Sequence, residues 1–147
     1  MTREEFGQCM SYLLNAYPQF RINEQNVQTV WMDRFENLRF DYAKIAIRKY
    51  VDEEKYPPVP ADIITRYRAV EELNRQHMRD LREVMGLIRQ CYADFDDADE
   101  KAYMAAIKSQ TFEECLDKAR KIYRFVVNNP SAEKFSEVVG KWQQNKI

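Results

Sequence analysis

Pro57, Pro58 and Pro60 stand within four consecutive residues, and no helix can run unbroken through them. Proline lacks a backbone N–H and its ring clashes with the preceding helical turn. Pro60 can nevertheless open a new helix, because the N–H at the first helical position needs no partner. The sequence therefore predicts a helix that ends near Tyr56, a stiff joint, and a second helix that begins at Pro60.

The rest of the chain has the pattern of an all-α protein. Apolar residues recur at spacings of three and four almost throughout, and three glycines in 147 residues are too few to supply hairpin turns. We expect a small N-terminal helical bundle over residues 1–58, the Pro-rich joint, a long helix over residues 59–92, and a C-terminal module of amphipathic helices over residues 93–147.

Capping signals place the N-terminal helices. Thr2 and Glu5 have the spacing of a capping box, Asn23 is a suitable cap for the second helix, and Asp41 is the predicted cap of the third. Tyr17-Pro18 should end the first helix. The predicted core stripes are Phe6, Met10, Leu13, Leu14 and Tyr17; Val27, Val30, Trp31, Phe35 and Leu38; and Tyr42, Ile45, Ala46 and Tyr50.

The long helix has apolar positions at nearly seven-residue intervals, which favours bundle or coiled-coil packing. The seam turns polar at Asn74 and His77, where a break in the helix is an alternative. The acidic stretch at residues 93–99 is interpreted as a solvated loop that caps the next helix, and Thr111 and Ser131 as caps of the last two helices. The seam comprises Ile63, Tyr67, Val70, Leu81, Val84 and Ile88.

The residue types argue against catalysis and against a bound metal or cofactor. His77 is the only histidine and is expected on an exposed helix face, so a base for nucleophilic catalysis is missing. No glycine-rich phosphate loop is present. The acidic run at residues 94–99 lacks the glycine of a calcium loop, and Ala105 stands where its glutamate would be. We expect no catalytic residue, no cofactor and no metal.

The chain is expected to be cytoplasmic. Cys9, Cys91 and Cys115 are odd in number and form no Cys-x-x-Cys pair, which favours reduced thiols packed in cores. The N-terminus has no signal-peptide pattern, and no apolar run approaches the roughly 20 residues of a membrane span.

A basic cluster lies near the C-terminus, at Lys118, Arg120, Lys121 and Arg124. With aromatic residues interleaved, this face could contact phosphates or an acidic partner, or it could be an ordinary solvated helix face. A net charge of −1 argues against a large nucleic-acid footprint.

Several segments of the N-terminal half, taken in order, resemble the phage replicative-helicase loader/inhibitor family of Gram-positive hosts. The resemblance covers about residues 1–70. The matching segments are Thr2-Arg3-Glu4-Glu5-Phe6, Leu14-Asn15-Ala16-Tyr17-Pro18-Gln19-Phe20, Trp31, Asp41-Tyr42, Ala46, and Lys55-Tyr56-Pro57-Pro58-Val59-Pro60-Ala61-Asp62-Ile63.

This resemblance implies a non-enzymatic DNA-replication protein of a bacteriophage, at work in the cytoplasm of a bacterial host or a prophage-carrying cell. Its implied partner is the hexameric replicative helicase of DnaB type, from host or phage, which it loads or inhibits. An origin-bound initiator protein is a further implied partner, and direct nucleic-acid binding is expected to be weak or absent. The family's C-terminal part is commonly polar, whereas residues 100–147 here carry strong apolar stripes.

A protein without enzymatic groups acts by presenting surfaces, and two stretches are candidates for helicase contact. They could equally dock the two halves of the chain together. The candidate residues are Leu73, Met78, Met85 and Leu87 on the long helix, and Lys118, Arg120, Lys121 and Arg124 on the basic helix.

Two other functions remain open from the sequence. One is a small helical nucleic-acid-binding or DNA-packaging phage protein, which the basic helix favours. The other is a helical scaffold that associates with itself through the seam at residues 63–88.

Overall fold

The computed structural model of the protein describes residues 1–130 and 133–145. Every regular element within these residues is helical, which confirms the predicted all-α class. The elements are α1 (Arg3–Ala16), α2 (Glu24–Asn26), a π-helical turn (Val27–Trp31), α3 (Met32–Phe35), α4 (Phe40–Glu53), α5 (Pro60–Gln90), α6 (Asp97–Ile107), α7 (Phe112–Asn128) and α8 (Phe135–Gln144).

The contacts within the chain define two compact units, Met1–Asn74 and Arg75–Ile147, and each has its own hydrophobic core. The boundary between the units falls inside α5, which continues through Asn74 and His77 without a break. The division into residues 1–58, 59–92 and 93–147 stays a prediction.

Aromatic rings fill the core of the first unit. Phe35 is fully buried, and its ring meets those of Phe6 and Trp31 edge-on at centroid distances of 6.0 and 5.6 Å. The Trp31 ring in turn meets Phe20 at 5.8 Å. Edge-to-face pairs of this kind add about 0.5–1.5 kcal/mol each beyond the burial of their area.

The predicted caps of the first two helices are confirmed. Thr2 Oγ1 accepts the Glu5 amide at 3.1 Å, and the Glu5 carboxylate accepts the Thr2 amide at 2.7 Å. Asn23 Oδ1 accepts the Asn26 amide at 2.7 Å. Helix α1 ends at Ala16, with Tyr17 as its C-cap, as expected ahead of Pro18.

The predicted cap at Asp41 is wrong. Helix α4 begins at Phe40, so Arg39 holds the N-cap position and donates its amide to the Tyr67 hydroxyl at 3.1 Å. Asp41 lies in the first turn, where its negative charge still interacts favourably with the helix dipole. The Arg39 guanidinium binds it at 2.7 Å and holds the pKa of the Asp41 carboxyl below its ordinary value.

Three predicted core positions of the first unit are also wrong. Leu14, Val30 and Ile45 are exposed by 40, 45 and 43%. Successive helical residues are turned by about 100°, so only one of two adjacent apolar residues can point into a narrow core. Leu13 and Trp31 take those positions in place of their neighbours.

The prolines form the predicted joint between α4 and α5. Its backbone is held by two tyrosines of the core: the Tyr17 hydroxyl donates to the Glu54 carbonyl at 2.8 Å, and the Tyr50 hydroxyl donates to the Tyr56 carbonyl at 2.9 Å. Pro58 is buried as well. The joint is therefore fixed to the first unit.

The second unit packs the last part of α5 with α6, α7 and α8. Tyr103 of α6 is fully buried and donates its hydroxyl to the Leu81 carbonyl at 3.2 Å, and burial raises the pKa of Tyr103 to about 12. All six seam positions of α5 are buried, as the seven-residue spacing predicted. The core positions predicted for the last helix are buried as well; they are Phe135, Val138, Val139 and Trp142.

Two caps were predicted for the last helices. Thr111 Oγ1 accepts the Glu114 amide at 3.3 Å, which confirms the start of α7. Ser131 lies outside the described residues. Lys134 holds the N-cap position of α8, without a hydrogen bond from its side chain to the helix.

The acidic stretch caps α6 as expected, but it is not fully solvated. Asp96 and Asp99 form a reciprocal capping box, with hydrogen bonds of 3.0 and 3.1 Å. Asp99 is 0% exposed, and it is the buried charged side chain among the residues that the structure describes. Its carboxylate accepts hydrogen bonds from Lys134 Nζ at 3.0 Å and from the Ser136 amide at 3.1 Å. Asp99 therefore ties the start of α6 to the start of α8.

Replacement of Asp99 with alanine should destabilise the second unit by about 3 kcal/mol, because the amides of Asp96 and Ser136 and the Lys134 ammonium lose the buried carboxylate that they share. Hydrogen exchange of amides in α6 and α8, compared with wild type, measures the loss. Asp97→Ala removes an exposed acid from the same turn and should cost less than about 1 kcal/mol. Equal losses in the two variants would show that the Asp99 contacts do not hold the unit together.

The pH dependence of stability should report the contact between Asp96 and Lys134, whose charged atoms are 2.9 Å apart. The Lys134 ammonium lowers the pKa of Asp96 in the folded protein. The stability that this contact adds is therefore present above the ordinary carboxyl pKa of about 4, and it is lost as the pH falls below that value. Asp96→Asn keeps a competent N-cap but loses the charge.

In urea unfolding, the free energy of unfolding of wild type should therefore exceed that of Asp96→Asn near neutral pH. The difference between the two should shrink below a pH of about 4. Asp97→Asn serves as the control and should follow the wild-type pH profile. A difference between wild type and Asp96→Asn that stays constant with pH would contradict this account.

Candidate partner-binding surfaces

The first candidate surface is a groove of the second unit between α5 and α6, and two predicted partner-binding residues line it. Met78 and Met85 stand seven residues apart and so share one face of α5. Met104 of α6 lines the same groove and is 40% exposed. Flexible, polarizable thioethers suit irregular apolar partners. The other lining residues are Leu81, Arg82, Glu100 and Tyr103.

The second candidate surface is the groove between α5 and α7, which brings two more predicted residues together. Leu87, which is 38% exposed, lines it together with Arg120 and Tyr123 of α7. Arginine and tyrosine are the side chains that most often dominate binding energy at interfaces. The other lining residues are Asp80, Glu83, Val84 and Leu116.

Leu73 is the remaining predicted residue of α5. It is 50% exposed and belongs to the first unit, whereas Met78, Met85 and Leu87 belong to the second. The structure thus distributes the four predicted apolar residues over three locations. No single surface collects them.

The basic cluster is partly engaged within its own unit. Lys121 pairs with Asp117 at 2.7 Å, and half-buried Lys118 donates to the Lys108 carbonyl at 3.0 Å. Arg124 Nε donates to the Arg120 carbonyl at 3.4 Å. Three of the four cations are therefore less available to phosphates than the sequence suggests.

His77 was predicted on an exposed face, and this is wrong. It is half-buried, and its ring stacks on Phe112 at the start of α7 with a centroid distance of 3.5 Å and an interplanar angle of 2°. The histidine therefore helps to seat α7 on α5.

The cysteines differ in environment, which corrects the expectation that all three lie in cores. Cys9 is buried, and burial raises the pKa of its thiol to about 11, so it is protonated at neutral pH. Cys115 is half-buried, and Cys91 is exposed at the end of α5. All three are free thiols.

No three His, Cys, Asp or Glu side chains within residues 1–130 and 133–145 are grouped to hold a metal ion. In the same part of the chain, no helix has the length and apolar character needed to cross a membrane.

One surface of the first unit was not predicted from the sequence. A groove runs between the π-helical turn with α3 on one side and the joint with the start of α5 on the other. Val30 and Val59 line it with 45 and 58% of their surface exposed, and Arg34 and Arg68 line it as well. The signal was Val59, an apolar residue between prolines, where no helix could bury it.

The first unit is similar to a domain of a known class of protein, the phage helicase loader/inhibitor proteins. The family model for the N-terminal domain of such a loader/inhibitor matches residues 1–64, which confirms the resemblance seen in the sequence. The match covers 64 of the 147 residues. No curated protein and no solved structure matches the chain.

Duplex DNA should bind weakly, with a Kd above about 10 µM at physiological salt, because three of the four clustered cations already contact groups of their own unit. Fluorescence anisotropy with a salt titration measures this, and Arg120→Glu/Arg124→Glu should change the weak binding little. Sub-micromolar affinity that falls steeply with salt and disappears in that variant would favour a nucleic-acid-binding function instead.

Proposed function

We propose that this protein is a non-enzymatic phage replication protein that binds a hexameric replicative helicase of DnaB type and loads or inhibits it. The match of residues 1–64 to the N-terminal domain of a phage helicase loader/inhibitor carries the proposal. The helicase comes from the phage or its bacterial host, the site of action is the bacterial cytoplasm, and an origin-bound initiator is a further partner.

We place the helicase contact on the groove between α5 and α7. Leu87 offers apolar area there, Arg120 offers a guanidinium, and Tyr123 offers an aromatic ring with a polar end. An apolar patch with a mixed-charge border has the composition of a transient protein interface. The methionine-lined groove between α5 and α6 is the second contact in this proposal.

Such a protein acts by binding one conformational state of the helicase more tightly than another. That difference in affinity shifts the helicase between states, which is sufficient for inhibition or for delivery in a defined state. If ATP also prefers one of these states, linkage requires that ATP change the affinity of the helicase for this protein by the same factor by which this protein changes the affinity for ATP. Dependence on ATP is therefore an expected property of the complex.

The protein should co-purify with a DnaB-type helicase, and mass measurement of the complex should give a defined stoichiometry. The affinity of the complex should differ between samples with and without ATP. Leu87→Ser and Arg120→Glu should each weaken the complex about tenfold or more. Val127→Ser and Lys101→Glu make similar changes at exposed positions outside both grooves and should change the affinity less than about twofold.

Failure to form a complex with or without ATP would refute direct helicase binding. A complex that all four variants weaken equally, or not at all, would place the contact elsewhere. Self-association of the protein alone, seen in the same mass measurement, would favour the scaffold function.

A further inference from the structure

The groove of the first unit is lined by aliphatic side chains and by two arginines. Val30 and Arg34 stand four residues apart on one wall, and Ile64 and Arg68 stand four residues apart on the other. Residues at this spacing share a helix face, so each wall presents an aliphatic side chain next to a guanidinium. The groove encloses about 360 Å³.

Both guanidiniums are available. Arg34 and Arg68 are exposed, and within the described residues neither forms an ion pair. No acidic residue lines the groove itself. By contrast, Arg39 and Arg66 of the same unit are each bound to a carboxylate. The groove therefore carries positive charge that nothing in its own lining neutralises.

The joint holds this surface in a fixed shape. Val59 donates its amide to Asp62 Oδ2 at 2.9 Å, and the Tyr56 carbonyl is bound by Tyr50. Pro58 is buried, while the Val59 side chain next to it is 58% exposed. A surface that is already ordered loses little conformational entropy when a partner binds, which favours binding even over a small area.

We propose that this groove binds an acidic polypeptide segment of a partner protein, with aliphatic side chains on the floor and carboxylates on Arg34 and Arg68. The arginine fork pairs well with carboxylates, and the two helical walls leave an apolar trough suited to an amphipathic helix. The inference concerns the first unit and does not depend on the helicase contact placed on the second.

The charges next to the groove favour a peptide over a nucleic acid. An adjoining depression shares Arg34, Ile64 and Arg68 and adds the carboxylates Asp33 and Glu71. A continuous phosphate backbone would meet these acids with repulsion, whereas a peptide can place its own charges only at the arginines. Two arginines are also few for backbone binding, which accumulates affinity over many phosphates.

The probe is a synthetic acidic amphipathic helix of about four turns that carries leucines on one face and glutamates beside them. Titrated into the isotope-labelled full chain to millimolar concentration, it should shift the amide resonances of Val30, Val59 and Ile64. Arg34→Glu/Arg68→Glu should weaken binding about tenfold or more.

Lys44→Glu/Arg48→Glu is the matched control. These two cations line a different groove of the same unit, between α1 and α4, and their replacement makes the same change in net charge. The control should change the affinity less than about twofold. Arg34→Gln/Arg68→Gln tests the same loss of binding without charge reversal and covers the case in which the glutamate variant fails to fold.

A peptide with lysines in place of the glutamates should not bind. Absence of shifts at the groove, equal losses in the two glutamate variants, or equal binding of the lysine peptide would overturn the proposal. Competition by single-stranded oligo(dT) that depends on Arg34 and Arg68 would assign the groove to nucleic acid instead. Concentration-dependent shifts at the groove without peptide would assign it to a second copy of the chain.

Discussion

The inability of proline to continue a helix determines how the first unit is built and what it leaves exposed. Helix α4 must end before Pro57, and α5 can begin only at Pro60, so the intervening backbone needs other partners. The hydroxyls of Tyr17 and Tyr50 supply them. Two core aromatics thus have a second role as hydrogen-bond donors, and the joint that they fix presents Val59 beside the exposed face of α5.

The second unit depends on a different device. Removal of a carboxylate from water costs free energy unless the carboxylate is fully hydrogen-bonded in the protein. Asp99 meets this condition with an ammonium, the amide of its own capping box and the first turn of α8. The arrangement fixes the starts of α6 and α8 to each other.

Local signals in the sequence predicted much of this fold. The Thr2 box, the Asn23 cap and the seven-residue spacing of the α5 seam each depend on residues within one helix. Two predictions, the cap at Asp41 and the fully solvated acidic stretch, failed because a distant residue decides the outcome. Tyr67 fixes Arg39 at the N-cap of α4, and Lys134, 35 residues away, makes the burial of Asp99 possible.

The surfaces were harder to predict than the helices. Sequence spacing identified Met78, Met85 and Leu87 as apolar residues off the seam, but only the packing of α6 and α7 shows that they line two different grooves. The exposed arginines of the first unit gave no signal, because an unpaired arginine and a paired one look alike in a sequence. Their availability depends on which carboxylates the fold brings near.

The most direct test of this account is hydrogen exchange of the full chain, measured alone and in complex with a DnaB-type helicase. The account predicts slower exchange in the second unit, in the part of α5 after Asn74 and in α7, with the groove beside Pro60 unchanged. Protection confined to residues 1–74, with α7 exchanging as in the free protein, would contradict it.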